Sequence, residues 1–250
     1  MRKEPVMFCA AVSLLFLTGG CETSGQQYRG GLRYDDVGNS VEAAKCYRKA
    51  AERGHVQARL TLARRYYDGQ GVPKDYAEAV KWYRRAAEQD SPDAWYALGR
   101  LYEKGEGVGK DPAEAAGCFR KAADLGHAQS QFDLGSCCYD GIGVAKDFSE
   151  AARWWRKAAE QGHAAAQYRL GTLYARGEGL TKDPAEAVKW YRKAAQQGHV
   201  RARYRLGVSL CGGEGVEKDV TEGSYWLCKA AKQGDRPAQE MCRKLNAKWD

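Results

Sequence analysis

The chain has 250 residues, 44% of them hydrophobic and 29% charged, which supplies a packed core and excludes a wholly disordered polypeptide. Twenty-nine glycines against six prolines exclude both collagen and a proline-rich linker, so the glycines punctuate regular structure. A formal charge of +8 suits acidic partners without requiring nucleic acid.

At the N-terminus, Arg2 and Lys3 precede an apolar run from Val6 to Leu17, and Thr18, Gly19 and Gly20 lead into Cys21. Positive, apolar and small segments in that order read as a secretory signal over residues 1–20. Twelve apolar residues rise only about 18 Å, short of the roughly 30 Å hydrocarbon core, so the run does not span a bilayer. Its end resembles the bacterial lipobox, which implies that the Cys21 thiol carries diacylglycerol and becomes the mature N-terminus. The match departs in one place, because Thr18 stands where the lipobox has Leu, with Leu17 one step further out. Ordinary cleavage near Gly20 is the other reading. The first leaves a membrane-anchored protein of the cell envelope, the second a secreted one, and both are exported. Residues 21–27 read as a polar tether.

The rest of the chain repeats. Gly54, Asp90, Gly126, Gly162, Gly198 and Gly234 are spaced 36 residues apart without an insertion, the signature of stacked supersecondary units. Within each period the columns Leu62, Leu98, Leu134, Leu170, Leu206 and Ala63, Gly99, Gly135, Gly171, Gly207 predict a first helix, A, that meets a neighbour closely. A paired Gly turn follows, at Gly69 and Gly71, Gly105 and Gly107, Gly141 and Gly143, Gly177 and Gly179, Gly213 and Gly215, and stops helix A. Helix B then opens at Asp75, Asp111, Asp147, Asp183 or Asp219, each followed three places on by Glu78, Glu114, Glu150, Glu186 or Glu222, a capping-box spacing. Pro112 and Pro184 sit at its first position, and paired alanines such as Ala158 and Ala159 mark its end. The regular units are 54–89, 90–125, 126–161, 162–197 and 198–233. Before them, residues 28–53 form a shorter unit, since 12 residues separate Gly31 from Ala43 where 16 separate Gly99 from Ala115. After them, residues 234–250 read as a capping helix.

The run of Leu-Gly, Tyr, Gly-x-Gly, Lys-Asp, Glu-Ala, Trp-Tyr, Lys-Ala-Ala and Gly-His in residues 170–199 resembles the Sel1-like repeat, and the short first unit is similar to the tetratricopeptide repeat. The resemblance implies an all-α, right-handed α/α solenoid of helical hairpins that recruits proteins as a scaffold or adaptor. It also implies a second function to weigh, because a cysteine-rich secreted branch of the family is assigned penicillin binding or weak β-lactamase activity.

No residue set reads as catalytic. The four histidines, His55, His127, His163 and His199, share one repeat column, and equivalent residues of stacked units lie roughly 10 Å apart, too far to share a zinc ion. They read as polar residues opening the next helix A. No Ser-x-x-Lys or Gly-x-Ser-x-Gly motif is present, and the Gly turns leave a helix rather than enter one, so neither hydrolase chemistry nor a phosphate loop fits. Nothing calls for a cofactor, a metal or nucleic acid. Of nine cysteines, Cys228 and Cys242 flank the turn at Gly234 at similar depths, placed to face each other as a disulfide pair. Cys137 shares a column with Leu101 and Leu173 and Cys138 replaces a Tyr of the repeat, where a buried thiol is a small hydrophobe.

The expected partner is a protein or extended peptide on the concave, helix-A side, where a fixed frame carries divergent columns. One holds Gln57, Asp93, Gln129, Ala165 and Arg201; another Arg64, Arg100, Ser136, Thr172 and Val208; a third Tyr67, Glu103 and Tyr139. The aromatic column Leu60, Tyr96, Phe132, Tyr168, Tyr204 either lines that groove or packs between helices. Lys81, Arg84, Arg156, Lys157, Lys189 and Arg192 on helix B make a basic face, read either as a solvated surface or as a site for anionic membrane or polysaccharide.

Overall fold

The computed structural model describes residues 23–245; the signal segment 1–20 and Cys21 lie outside them. The described residues are all-α, with thirteen helices and no strand among them, in two compact units that meet at residues 74 and 75.

The first unit contains α1 (Ser24–Asp36), α2 (Ser40–Glu52) and α3 (Val56–Asp68). Helix α1 begins inside the segment expected to be a tether. Thr23 Oγ1 accepts from the Gln26 N–H at 3.2 Å and Gln26 Oε1 accepts from the Thr23 N–H at 2.7 Å, a reciprocal cap that turns a polar stretch into a helix start. Val37, Gly38 and Asn39 alone join α1 to α2, the short turn that the spacing predicts. Beside that turn, the buried Arg65 of α3 donates to Asp35 and to the carbonyls of Ser40 and Gln70, and its guanidinium lies over the Tyr47 ring. Tyr47 in turn donates to Asp35 at 2.6 Å. A charged side chain therefore fills the column that holds Leu101 and Leu173 in later repeats, and it stays buried because both terminal nitrogens and one face have partners, its Nε alone lacking a hydrogen bond.

The second unit opens on α4 (Tyr76–Ala87) and stacks four hairpins, α5 (Pro92–Lys104) with α6 (Pro112–Asp124), α7 (Ala128–Asp140) with α8 (Phe148–Glu160), α9 (Ala164–Arg176) with α10 (Pro184–Gln196), and α11 (Val200–Gly212) with α12 (Val220–Lys232). Helix α13 (Arg236–Lys244) packs on α12. Inside each hairpin the Gly column seats a large side chain of helix B: a Cβ on Gly99, Gly135, Gly171 or Gly207 would strike Phe119, Trp155, Tyr191 or Leu227. The second glycine of each turn is needed twice. Gly143, for example, has φ +70 and lies so close to the Pro112 carbonyl that a Cβ would collide with it, which docks the turn on the preceding helix B.

The Asp caps of helix B form, yet the reciprocal half of the capping box does not. Asp147 Oδ1 accepts from the N–H groups of Ser149 and Glu150, but its own N–H already donates to the Cys138 carbonyl at 2.8 Å, leaving Glu150 nothing to accept there. Glu150 instead takes Arg120 at 2.7 Å and the Trp154 indole at 3.3 Å. Glu222 likewise takes Arg192 and the Trp226 indole, and Glu78 and Glu186 take Lys81 and Lys189.

Candidate interaction face

The helix-B face is locally satisfied. Arg84 and Arg156 donate to Tyr102 and Tyr174 in the next hairpin at 2.8 and 2.5 Å. Where that tyrosine is replaced, by Cys138 or Leu210, the equivalent Arg120 or Arg192 turns to Glu150 or Glu222. Lys157 lies 4.0 Å from the Trp154 ring centre. The six cations singled out on this face thus all have partners in the fold, which favours the solvated-surface reading over a polyanion site.

The A helices are held by the histidine column. His127, His163 and His199 cap α7, α9 and α11, each Nδ1 accepting from the N–H three residues on at 3.2 Å. Ser91 and Asp235 take this place for α5 and α13. Each ring also lies against the aromatic of the preceding helix A: Tyr96 on His127 at 4.9 Å, and Phe132 on His163 and Tyr168 on His199 at 4.8 Å. Tyr28 and His55 repeat the contact in the first unit at 4.6 Å. Gln129 reaches the His163 Nε2 at 3.0 Å, and Asp93 that of His127 at 3.6 Å. The histidines are therefore structural caps. Burial lowers the proton affinity of His163 and His199, further lowered at His199 by Arg201 and Arg169. Among the described residues no group of three or more His, Cys, Asp or Glu side chains converges as metal ligands do.

This answers the question left open for the aromatic column. Tyr96, Phe132 and Tyr168 are half-buried between a histidine and the helix-B aromatics Phe119, Trp155 and Tyr191; they are packing residues that leave one edge to solvent. The divergent columns are more open. In the first unit Gln57 is exposed, Arg64 is exposed beside Asp68 at 3.6 Å, and Tyr67 is half-buried. In the second unit two clusters separate. On α5 and α7, Arg100 pairs with Glu103 at 2.7 Å and Gln129 donates to Asp133 at 3.1 Å, with Asp93 exposed nearby in sequence. Burial raises the Asp133 carboxyl above its ordinary value, and its Oδ2 is buried without a partner. Further along, Tyr139, Tyr168, Arg201 and Tyr204 line one pocket of about 360 Å³, over the edge of Trp155. Tyr139 also donates to Glu178 at 2.9 Å.

Sequence reasoning missed Asp133, Arg169, Arg176, Arg205 and Asp235, the last four lining that pocket. The signal was present: Thr61, Ala97, Asp133, Arg169 and Arg205 form a divergent column four residues beyond the Gln57 column, hence on the same helix face. Cys228 and Cys242 do meet across α12 and α13, with sulfurs 3.7 Å apart, beyond the roughly 2.05 Å of a bond. Burial and the neighbouring sulfur push the Cys242 thiol up to about 12.

Helical hairpins in register, capped alike and seated on a glycine column, define an all-α repeat protein of the tetratricopeptide-like class. The chain belongs to the Sel1 repeat family, whose profile matches residues 28–55, 57–91, 92–127, 128–163, 164–199 and 200–235. These segments begin near helix A, so their boundaries are offset by about two residues from units counted from the turn. The solved protective antigen c5321 of uropathogenic Escherichia coli, which displays an SLR fold, is 35% identical with a TM-score of 0.84 over 91% of this chain. The chain spans 50% of that protein's length. A Sel1 repeat protein from Oxalobacter formigenes is 32% identical, TM-score 0.74, with 86% of each chain covered. No curated protein matches. Proteins of this family generally mediate protein–protein contact. Among the described residues no helix is long and apolar enough to cross a membrane.

Proposed function

We propose that this protein is an exported adaptor, held to a membrane by a lipid on Cys21, that captures a protein or an extended peptide on its helix-A face and catalyses no reaction. The observation that carries the binding role is the contrast within helix A: the column of caps and glycines is nearly constant, while the side chains at the Gln57, Arg64 and Thr61 columns change from unit to unit and are half-buried or exposed. A fixed frame with a changing surface is what recognition of a linear partner requires. Export rests on the signal-like run and on the lipobox-like approach to Cys21, and in an oxidising compartment Cys228 and Cys242 join as a disulfide.

Two experiments separate the parts. Changing Arg64 and Arg100 together to Ala abolishes in-cell crosslinking to the partner while circular dichroism stays helical; an unchanged crosslink pattern removes those positions from the interface. Metabolic labelling with an alkynyl fatty acid marks the wild type and not Cys21→Ser; absence of label on both leaves the secreted form.

A further inference from the structure

The pocket on α9, α11 and the start of α13 has an unusual balance of charge. Four arginines line it, Arg169, Arg176, Arg201 and Arg205, against the single carboxylate of Asp235. Only Arg176 among them has a carboxylate within 4.0 Å among the described residues, Glu178 at 3.5 Å. Arg169 instead lies 5.7 Å from the Trp155 ring centre and Arg205 5.9 Å from that of Tyr204, so aromatic faces hold these guanidiniums while their N–H forks stay open. Arg84, Arg120, Arg156 and Arg192 of helix B, by contrast, are each matched to a tyrosine or a glutamate. A second hollow of about 210 Å³ shares Thr172, Arg176 and Arg205 with the first and adds one carboxylate, Glu214, so the two run together along α9 and α11 with four arginines against two acids.

We propose that this double hollow anchors an acidic, partly apolar stretch of a partner polypeptide, whose Asp or Glu carboxylates are taken by Arg169, Arg201 and Arg205. The inference rests on the reading of the helix-A face as a docking surface and names its ligand. Guanidinium forks match carboxylates two bonds at a time and are less strongly hydrated than ammonium groups, so they release water at modest cost. Tyr139, Tyr168, Tyr204 and Leu173 place apolar strips between the charges, which accommodates side chains between carboxylates and favours a peptide over a free anion. Burial lowers the proton affinity of His199, and Arg201 and Arg169 beside it lower it further. The α5 and α7 end of the unit carries Asp93, Glu103 and Asp133, with Arg100 already paired, so an acidic stretch is directed to the far end and not to this one.

The test is fluorescence anisotropy on the purified protein with a fluorescein-labelled peptide of about ten residues, roughly 33 Å when extended, alternating Glu and Leu. A Lys and Leu counterpart, a Ser and Leu counterpart and inorganic phosphate serve as the other probes. The acidic peptide binds, weakens as salt rises, and loses about tenfold or more in affinity in Arg201→Gln/Arg205→Gln, whereas Lys81→Gln, on the helix-B face, leaves it unchanged. Arg169→Gln with Arg201→Gln provides a second pair should the first fail to fold by circular dichroism. Failure of the acidic peptide to bind, binding indifferent to both pairs, or full displacement by millimolar phosphate overturns the anchor. Binding of the basic or neutral peptide that is lost on changing Gln129 and Asp93 overturns the anchor and leaves the docking surface standing. If no probe binds, and in-cell crosslinking is also unaffected by changes at both ends, both readings fall.

Discussion

The two ends of the second unit's helix-A face are built on the same frame and carry opposite charge. At α5 and α7 the acids Asp93, Glu103 and Asp133 face one engaged arginine, Arg100; at α9 and α11 Arg169, Arg201 and Arg205 find no carboxylate within 4.0 Å among the described residues. The backbone does not distinguish them, since α7, α9 and α11 start from the same histidine cap and end on the same left-handed glycine. The lesson is that in a repeat protein the frame is copied and the electrostatics are not: a substitution in one column alters the local potential without disturbing the caps and glycines that hold the fold.

The strongest way to break this comparison is to remove what both ends share. Trp155, 1% exposed, seats on Gly135, donates to the Phe132 carbonyl at 3.0 Å and also reaches the edge of the pocket. Trp155→Ala is expected to cost about 3–5 kcal/mol in urea unfolding, and to remove any difference in ligand preference between the ends. Smaller, and confined to the basic end, is the effect of joining Cys228 to Cys242. Mild oxidation should lower the mass by two hydrogens and stabilise α12 and α13 by about 2–3 kcal/mol, as closing a loop of about 15 residues does; in Cys242→Ser both effects disappear.

Acidification sharpens the contrast further. His163 and His199 have folded proton affinities below the usual value, so the unfolded chain binds protons more readily. The stability of the neutral rings is present above about pH 6.5 and drains as pH falls through that value toward the folded pKa. Protonation also removes the Nδ1 acceptor that caps α9 and α11, a loss of about 1 kcal/mol for each helix. Thermal unfolding at about pH 7.5 and about pH 5.5, one unit above and below the free imidazole value, should show this decline. Arg201→Gln should move the His199 titration upward by NMR and leave His163 in place. The smallest effect is a gain: Asp133→Asn removes a buried charge and keeps the acceptor for Gln129, raising stability by about 1 kcal/mol, or roughly 2–4 °C in the unfolding midpoint. An unchanged or lower midpoint would show that the carboxylate is better satisfied than its geometry indicates.

Much of the frame is legible in the primary structure. The Gly69 to Gly213 turns, the Asp75 to Asp219 caps, the histidine openings and the short first hairpin all arise from contacts within a few residues, and the chain states the turns and Asp caps five times each and the histidine opening four times. The tether was misread because a cap between Thr23 and Gln26 is as polar as a linker. The reciprocal capping box was over-read because the competing acceptor for the Asp147 N–H is Cys138, in the other helix of the hairpin. Tyr139, Tyr168, Arg201 and Tyr204, expected on the concave face, line the pocket, while Arg169 and Arg205 go unnoticed in the sequence because each directly follows an aromatic of the more conspicuous Tyr96 column.

The amino-acid order alone determined an all-α stack of hairpins and its 36-residue period, because glycine tolerance of positive φ, carboxylate caps and small-residue seats act locally and repeat. Tertiary structure decided which charges are used up and which stay available. Arg120 and Glu150, or Arg192 and Glu222, meet only because stacking brings residues thirty apart in the chain within hydrogen-bond reach, and Arg169 stays open where the stack presents the Trp155 ring to it in place of an acid.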